Sequence, residues 1–128
     1  MKRQEGFSLL EFLVIVVIIG IIAAIAIPNL LAARRQANET MAQKILRDIH
    51  EAQETYKHTA GSGNYAPDLK ALVEKKTIPI KSTDGNEAHG YVFSLDTSAG
   101  DAANTYHVVA TPSRYEGVSA TGDKTFII

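Results

Sequence analysis

One carboxylate stands inside an otherwise apolar run, and it is the first place in this 128-residue chain where chemistry is demanded. Residues 7–27 read FSLLEFLVIVVIIGIIAAIAI; fifteen of these 21 are Leu, Ile, Val or Phe, and Glu11 is the sole charge among them. An unpaired carboxylate in hydrocarbon is costly and a paired one much less so, so Glu11 calls for a cationic partner or a proton. Two further carboxylates, Asp96 and Asp101, lie in the loop DTSAGD. In so turn-rich a stretch they read as groups of a solvated turn. His50, His58, His89 and His107 show no H-x-x-x-H pairing, so no transition metal is expected. The chain has no cysteine, which excludes disulfides, a thiolate nucleophile and Cys-based zinc or iron–sulfur sites. It contains no G-x-S-x-G or P-loop pattern, and no enzymatic activity is expected. The sequon Asn38-Glu39-Thr40 falls in the middle of a helical pattern and reads as chance.

The element that must carry Glu11 is a helix long enough to cross a bilayer, since about 20 residues at 1.5 Å each span roughly 30 Å of hydrocarbon. One central charge costs about 2.5–3.5 kcal/mol, against roughly −0.3 to −0.6 for each large apolar residue. Insertion wins. Lys2 and Arg3 precede the run and favour a cytoplasmic N-terminus, although Arg34, Arg35 and Lys44 follow its far end. Pro28 removes one helical N–H bond and crowds the carbonyl of Ala24, and Gly20 is a second weak point. Residues 20–28 are therefore expected to let the helix bend, at the least as a passive kink at the bilayer exit.

Helical periodicity continues to about His58, with a stripe at Leu30, Ala33, Ala37, Met41, Ile45, Ile49, Ala52 and Tyr56 that must be covered. GSGN at 61–64 marks a break. Residues 66–76 read as a short helix with Pro67 in an early position, and residues 83–89 as polar loop. Strands are expected at 90–95, 105–111 and 124–128, rich in Val, Tyr, Phe and Ile. The fold class is α+β: a long N-terminal helix, half transmembrane and half amphipathic, packed on a small antiparallel sheet of three or four strands. A net charge of −1 gives no overall pull toward nucleic acid. Lys75, Lys76, Lys81, Arg114 and Lys124 are the available basic patch, with Asp and Glu interleaved.

The segment KRQEGFSLLEFLVIVVIIGIIAAIAIPNLLAARRQANE resembles the N-terminus of type IV prepilins and type II secretion pseudopilins. The shared pattern is a basic leader ending in Gly6, then the aromatic Phe7, then Glu11 inside a long apolar helix, then Pro28 near its end. NYAPDLKAL is similar to a pattern common after the long helix in pseudopilins and simpler pilins, and VATPSRYEGVSATGDKTFII is similar to the C-terminal sheet of several pilin-like proteins.

The resemblance implies a leader at residues 1–6, a transmembrane and polymerisation helix at 7–28, and a periplasmic or extracellular pilin domain at 29–128. That domain divides into an amphipathic helix (29–58), a connecting region with a short helix (59–89) and a sheet (90–128). It implies cleavage between Gly6 and Phe7 by a membrane prepilin peptidase, which also N-methylates Phe7. The new amine, with an intrinsic pKa of about 8, is cationic near neutrality and is the family's partner for Glu11, within a subunit or from a neighbour. Implied partners are copies of the same chain in a helical filament, an inner-membrane assembly platform, and the lipid bilayer before assembly; nucleic acid is not expected. Implied localisation is the bacterial inner membrane, single-pass with a cytoplasmic N-terminus, then an extracellular pilus or a periplasmic pseudopilus. No cofactor is implied beyond the calcium that pseudopilins often hold in a C-terminal loop, for which Asp96 and Asp101 are the candidates. The leading expectation is a structural subunit of a type IV pilus-like filament; a pseudopilin of a type II secretion or DNA-uptake system is the alternative, and a minor adhesive or DNA-binding pilin, using the basic residues above, is a third reading.

Overall fold

The computed structural model describes residues 5–74, 78, 80, 86–97, 105–114 and 120–128. In chain order its elements are α1 (Leu9–Thr59), α2 (Leu69–Glu74), β1 (Glu87–Ala88), β2 (Tyr91–Asp96), β3 (His107–Pro112) and β4 (Phe126–Ile127). The expected α+β class and antiparallel sheet are what the chain forms. The sheet is a four-stranded meander in the order β1-β2-β3-β4. The chain divides into two compact units, Met1–Ala33 and Arg34–Ile128.

In the first unit the fifteen large apolar residues of 7–27 are each at least 44 % exposed. Helical assignment runs through Gly20 and Pro28 without interruption. This is the one helix in the described residues long and apolar enough to cross a membrane.

The second unit has its own core. Ala42, Ile45, Leu46, Ile49 and Ala52 on α1 join Ala66, Leu69, Leu72, Ile78 and Ile80 with Tyr91, Phe93, Val108 and Ala110 of the sheet in one buried cluster. Burial alternates along β2 and β3 as the two-residue period requires, so Tyr91 and Phe93, then Val108 and Ala110, turn the same way. Register follows: Phe93 faces Ala110, and Leu95 faces Val108. The buried stripe of α1 differs from expectation at its start, because Ala33 and Ala37 are exposed and Leu30 is 55 % exposed. The covered face begins instead with Arg35, Asn38 and Glu39, which are polar because the segment that covers them, residues 121–124, offers backbone and charged groups rather than apolar ones.

α1 ends at GSGN as expected. The amides of Ala60 and Gly61 both donate to Tyr56 O, and Gly63, at φ +93°, donates to Lys57 O. A side chain at Gly61 would collide with Asn64 O. The short helix is narrower at its start than expected: Asp68 caps it, its Oδ1 accepting from Ala71 N at 2.8 Å, so Pro67 stands outside the helix.

The stretch read as polar loop contains β1, paired antiparallel with β2 (Ala88 opposite Tyr91). His89 and Gly90 join them with positive φ at both positions, the geometry of a two-residue type I′ hairpin. Glu87 and Ala88 carry no strand-forming signal and His89 is an unusual choice for that turn. The other strands lie within about two residues of their expected limits.

Candidate functional site

The site builds outward from the start of α1. Ser8 is the last residue before the helix. Its Oγ accepts from the Glu11 amide at 3.2 Å, while the Ser8 amide donates to Glu11 Oε2 at 2.8 Å. This is a reciprocal capping box, S-x-x-E, in which two of the helix's orphan amides find partners. The pattern Ser8-Leu9-Leu10-Glu11 is legible in the sequence, but the reading of Glu11 as a charge passes over it. Phe7 precedes the cap and is 83 % exposed. Gly6 lies before it in non-helical chain, and a side chain added there would meet nothing within 4 Å. Phe7, Leu10, Glu11, Val14 and Ile15 line one open groove. Their spacing of three and four places them on one helix face, so the carboxylate sits in an apolar trough.

Of the remaining candidates, Gly20 and Pro28 lie inside α1, and space around Gly20 is open. Lys2, Arg3, Asp101, Lys75, Lys76 and Lys81 fall outside the described residues. Asp96 ends β2 opposite His107. Among the described residues no three His, Cys, Asp or Glu side chains gather as a metal would need. Lys124 pairs with Glu39 at 3.9 Å, its own side chain remaining exposed while Glu39 is largely covered. The sequon asparagine is occupied too: Asn38 Nδ2 donates to Thr121 O at 2.9 Å.

Two features of the second unit escape the sequence reading. The first is a strap. Residues 121–124 are tied to α1 by Asn38, by Asp123 N donating to Glu39 Oε1 at 2.9 Å, and by Arg35 with Asp123 at 3.7 Å. From below, the buried Tyr91 hydroxyl donates to Lys124 O at 2.9 Å. Gly122 is required there, because a Cβ would stand 2.0 Å from that hydroxyl oxygen.

The second feature is an aromatic–polar cluster. Tyr106 bonds His50 Nδ1 and stacks edge-on with Tyr65 at 4.7 Å. The Tyr65 hydroxyl donates to Glu54 Oε1 at 2.8 Å, and Lys57 lies 4.3 Å from the Tyr65 ring centre. Burial, with Tyr65 and Glu54 nearby, pushes the Tyr106 phenol up to about 12. Beside it, Gln53 is fully buried and exchanges two hydrogen bonds with the Ala66 backbone. These groups fasten the loop after α1 to α1 and to the approach to β3.

What the arrangement offers chemically is therefore a bare apolar helix with one carboxylate at its head, attached to a domain that satisfies its own core. Residues 1–27 match the prokaryotic N-terminal methylation motif. The chain is similar to the type IV wide pilus major component PilA4 of Thermus thermophilus, at 36 % identity over 118 residues, 89 % of this chain and 86 % of that protein. It is also similar to the type II secretion system core protein G of Escherichia coli, at 33 % identity over 73 % of this chain and 64 % of that one. The core protein G of Pseudomonas aeruginosa gives 37 % identity over 73 % of this chain and 66 % of that one. The chain thus spans most of the pilus component but about two thirds of the length of these core proteins. No solved structure matches it.

Proposed function

Because the chain belongs to the family of type IV pilins and type II secretion pseudopilins, we propose that it is a filament subunit, cut between Gly6 and Phe7, methylated at Phe7 and polymerised through residues 7–27. The observation that carries this reading is the exposed apolar face of 7–27 with Glu11 set in its groove. Such a face is stable only in lipid or against similar faces, and the neighbouring domain, with a complete core of its own, does not need it as cover. In lipid the helix is a single-pass anchor in the inner membrane with its N-terminus cytoplasmic; in the filament the same face is buried by other copies. The Phe7 amine, cationic after cleavage, neutralises Glu11 as subunits pack. Gly20 and Pro28 are the points at which the helix yields during that passage. Lys2 and Arg3 hold the leader on the cytoplasmic side, where the peptidase cuts. The assembly platform of the inner membrane is the further partner this reading needs.

A pseudopilin of a protein secretion system is the second reading, favoured by the several core protein G relatives. Intact-mass and N-terminal mass spectrometry of membrane-bound and sheared material separates the two. Sheared protein that begins at methylated Phe7 supports a surface pilus. Processed protein confined to the envelope supports the pseudopilus. A chain that still begins at Met1, or is cut near Ala26, sinks both. Glu11→Ala tests the pairing: insertion persists and filament yield collapses, whereas normal yield removes the role given to Glu11.

A further inference from the structure

The reciprocal cap at the start of α1 bears on how Glu11 meets its partner. A carboxylate has two oxygens, and here they are not equivalent. Oε2 is held by the Ser8 amide at 2.8 Å, and the Glu11 amide is in turn held by Ser8 Oγ at 3.2 Å. Among the described residues Oε1 has no hydrogen-bond partner. We infer that Ser8 is a positioning residue for Glu11: its cap commits one carboxylate oxygen to the helix start and presents the other to the ammonium that assembly brings. The inference rests on the charge-pairing role proposed for Glu11.

The register supports a division of labour between neighbouring residues. Cleavage between Gly6 and Phe7 turns the Phe7 nitrogen into an amine but leaves the Ser8 nitrogen as the amide of the Phe7–Ser8 peptide bond. The cap therefore needs no processing and survives it, and the new cation appears one residue outside the cap. A Glu side chain free to rotate must be ordered before it can form a directed ion pair, and that ordering opposes association. In this chain the rotamer is fixed in the single subunit, within a groove whose other walls, Phe7, Leu10, Val14 and Ile15, offer no competing hydrogen-bond donor from their side chains.

The test is co-assembly. A tagged full-length chain is expressed with an excess of untagged wild-type chain, and tag incorporation in the filament is divided by the tagged pool that begins at Phe7. This normalisation removes any effect on cleavage. Ser8→Ala should incorporate about fivefold less than wild type, the factor that corresponds to the ~1 kcal/mol typical of losing an N-cap side chain. Ser8→Thr, which keeps the acceptor, should restore incorporation to within about twofold.

Glu11→Gln separates positioning from simple capping, because Gln also completes a capping box but carries no charge to present. Ser8→Ala combined with Glu11→Gln should incorporate no less than Glu11→Gln alone. An equal fall with and without Glu11→Gln would mean that Ser8 only starts the helix, and the inference fails. It also fails if Ser8→Ala incorporates normally beside an impaired Glu11→Gln, and then the charge pairing stands alone. Normal incorporation of Glu11→Gln removes the pairing itself and this inference with it.

Discussion

Replacing Gln53 with Leu sets two large effects against each other. Gln53 is fully buried on α1; its Oε1 accepts from Ala66 N at 2.7 Å and its Nε2 donates to Ala66 O at 3.2 Å. Ala66 is itself fully buried, so neither backbone group has water to fall back on. Leu has nearly the same volume and adds about two apolar carbons, a gain of roughly 1.5 kcal/mol at about 0.8 kcal/mol per carbon. It also strands one donor and one acceptor at about 1–3 kcal/mol each. The net is a loss centred on about 2.5 kcal/mol, within a span of about 0.5–4.5 kcal/mol. For a domain the size of Arg34–Ile128, that lowers Tm by about 10–20 °C. The assay is thermal unfolding of the full chain in detergent micelles, followed by near-ultraviolet circular dichroism of the tyrosines. The far-ultraviolet signal would be dominated by the apolar helix. A Gln53→Leu variant that melts at or above the wild-type temperature would refute the reasoning, because the pair of hydrogen bonds would then contribute less than two carbons of apolar contact.

Gly122→Ala should cost about 1–3 kcal/mol through overpacking, since its Cβ would stand 2.0 Å from the Tyr91 hydroxyl; adding Tyr91→Phe should recover part of the loss in the same melt, and full additivity of the two changes would contradict the clash. Asn38→Ala removes the bond to Thr121 O and should lower stability by about 1 kcal/mol, or about 4–8 °C, with an unchanged Tm counting against the strap. The Tyr106 phenol, raised from 10.0 to about 12, is held in its neutral form by the fold. Its contribution to stability is thus complete below pH 10 and lost as pH rises toward 12. Ultraviolet titration of phenolate absorbance should show a component with a midpoint near 12 that disappears in Tyr106→Phe, and its persistence in the variant would mean that another tyrosine is the perturbed one.

The parts of the fold that announce themselves in sequence are those governed by periodicity and composition. The run 7–27 is apolar on every side, and nothing but a long helix in lipid or in a bundle accommodates it. β2 and β3 alternate and are rich in Val, Tyr and Phe. Errors arise where a side chain's partner lies far away in the chain. Leu30, Ala33 and Ala37 extend the apolar rhythm of α1 but are exposed, and Arg35, Asn38 and Glu39 break it because their partners are 83 to 88 residues downstream. Gln53 looks like a solvent-facing residue until Ala66 is placed beside it. β1 is two residues long and exists through pairing rather than propensity. Ser8 is the opposite case, a local signal three residues from its partner, overshadowed by the attention that a charge in an apolar run commands.

The strap also sets a schedule for synthesis. The bond from Asn38 to Thr121 spans 83 residues, and that from Asp123 to Glu39 spans 84; β4 pairs with β3 from the same late stretch. At about 5–20 residues per second, the ribosome delivers those partners several seconds or more after the apolar helix has emerged. Among the described residues the side-chain contacts that close the domain are thus its longest-range ones, and long loops close slowly. The apolar helix is therefore complete while the domain that follows it is still an open chain. Packing completes only once residues 121–127 can reach back to α1 and β3.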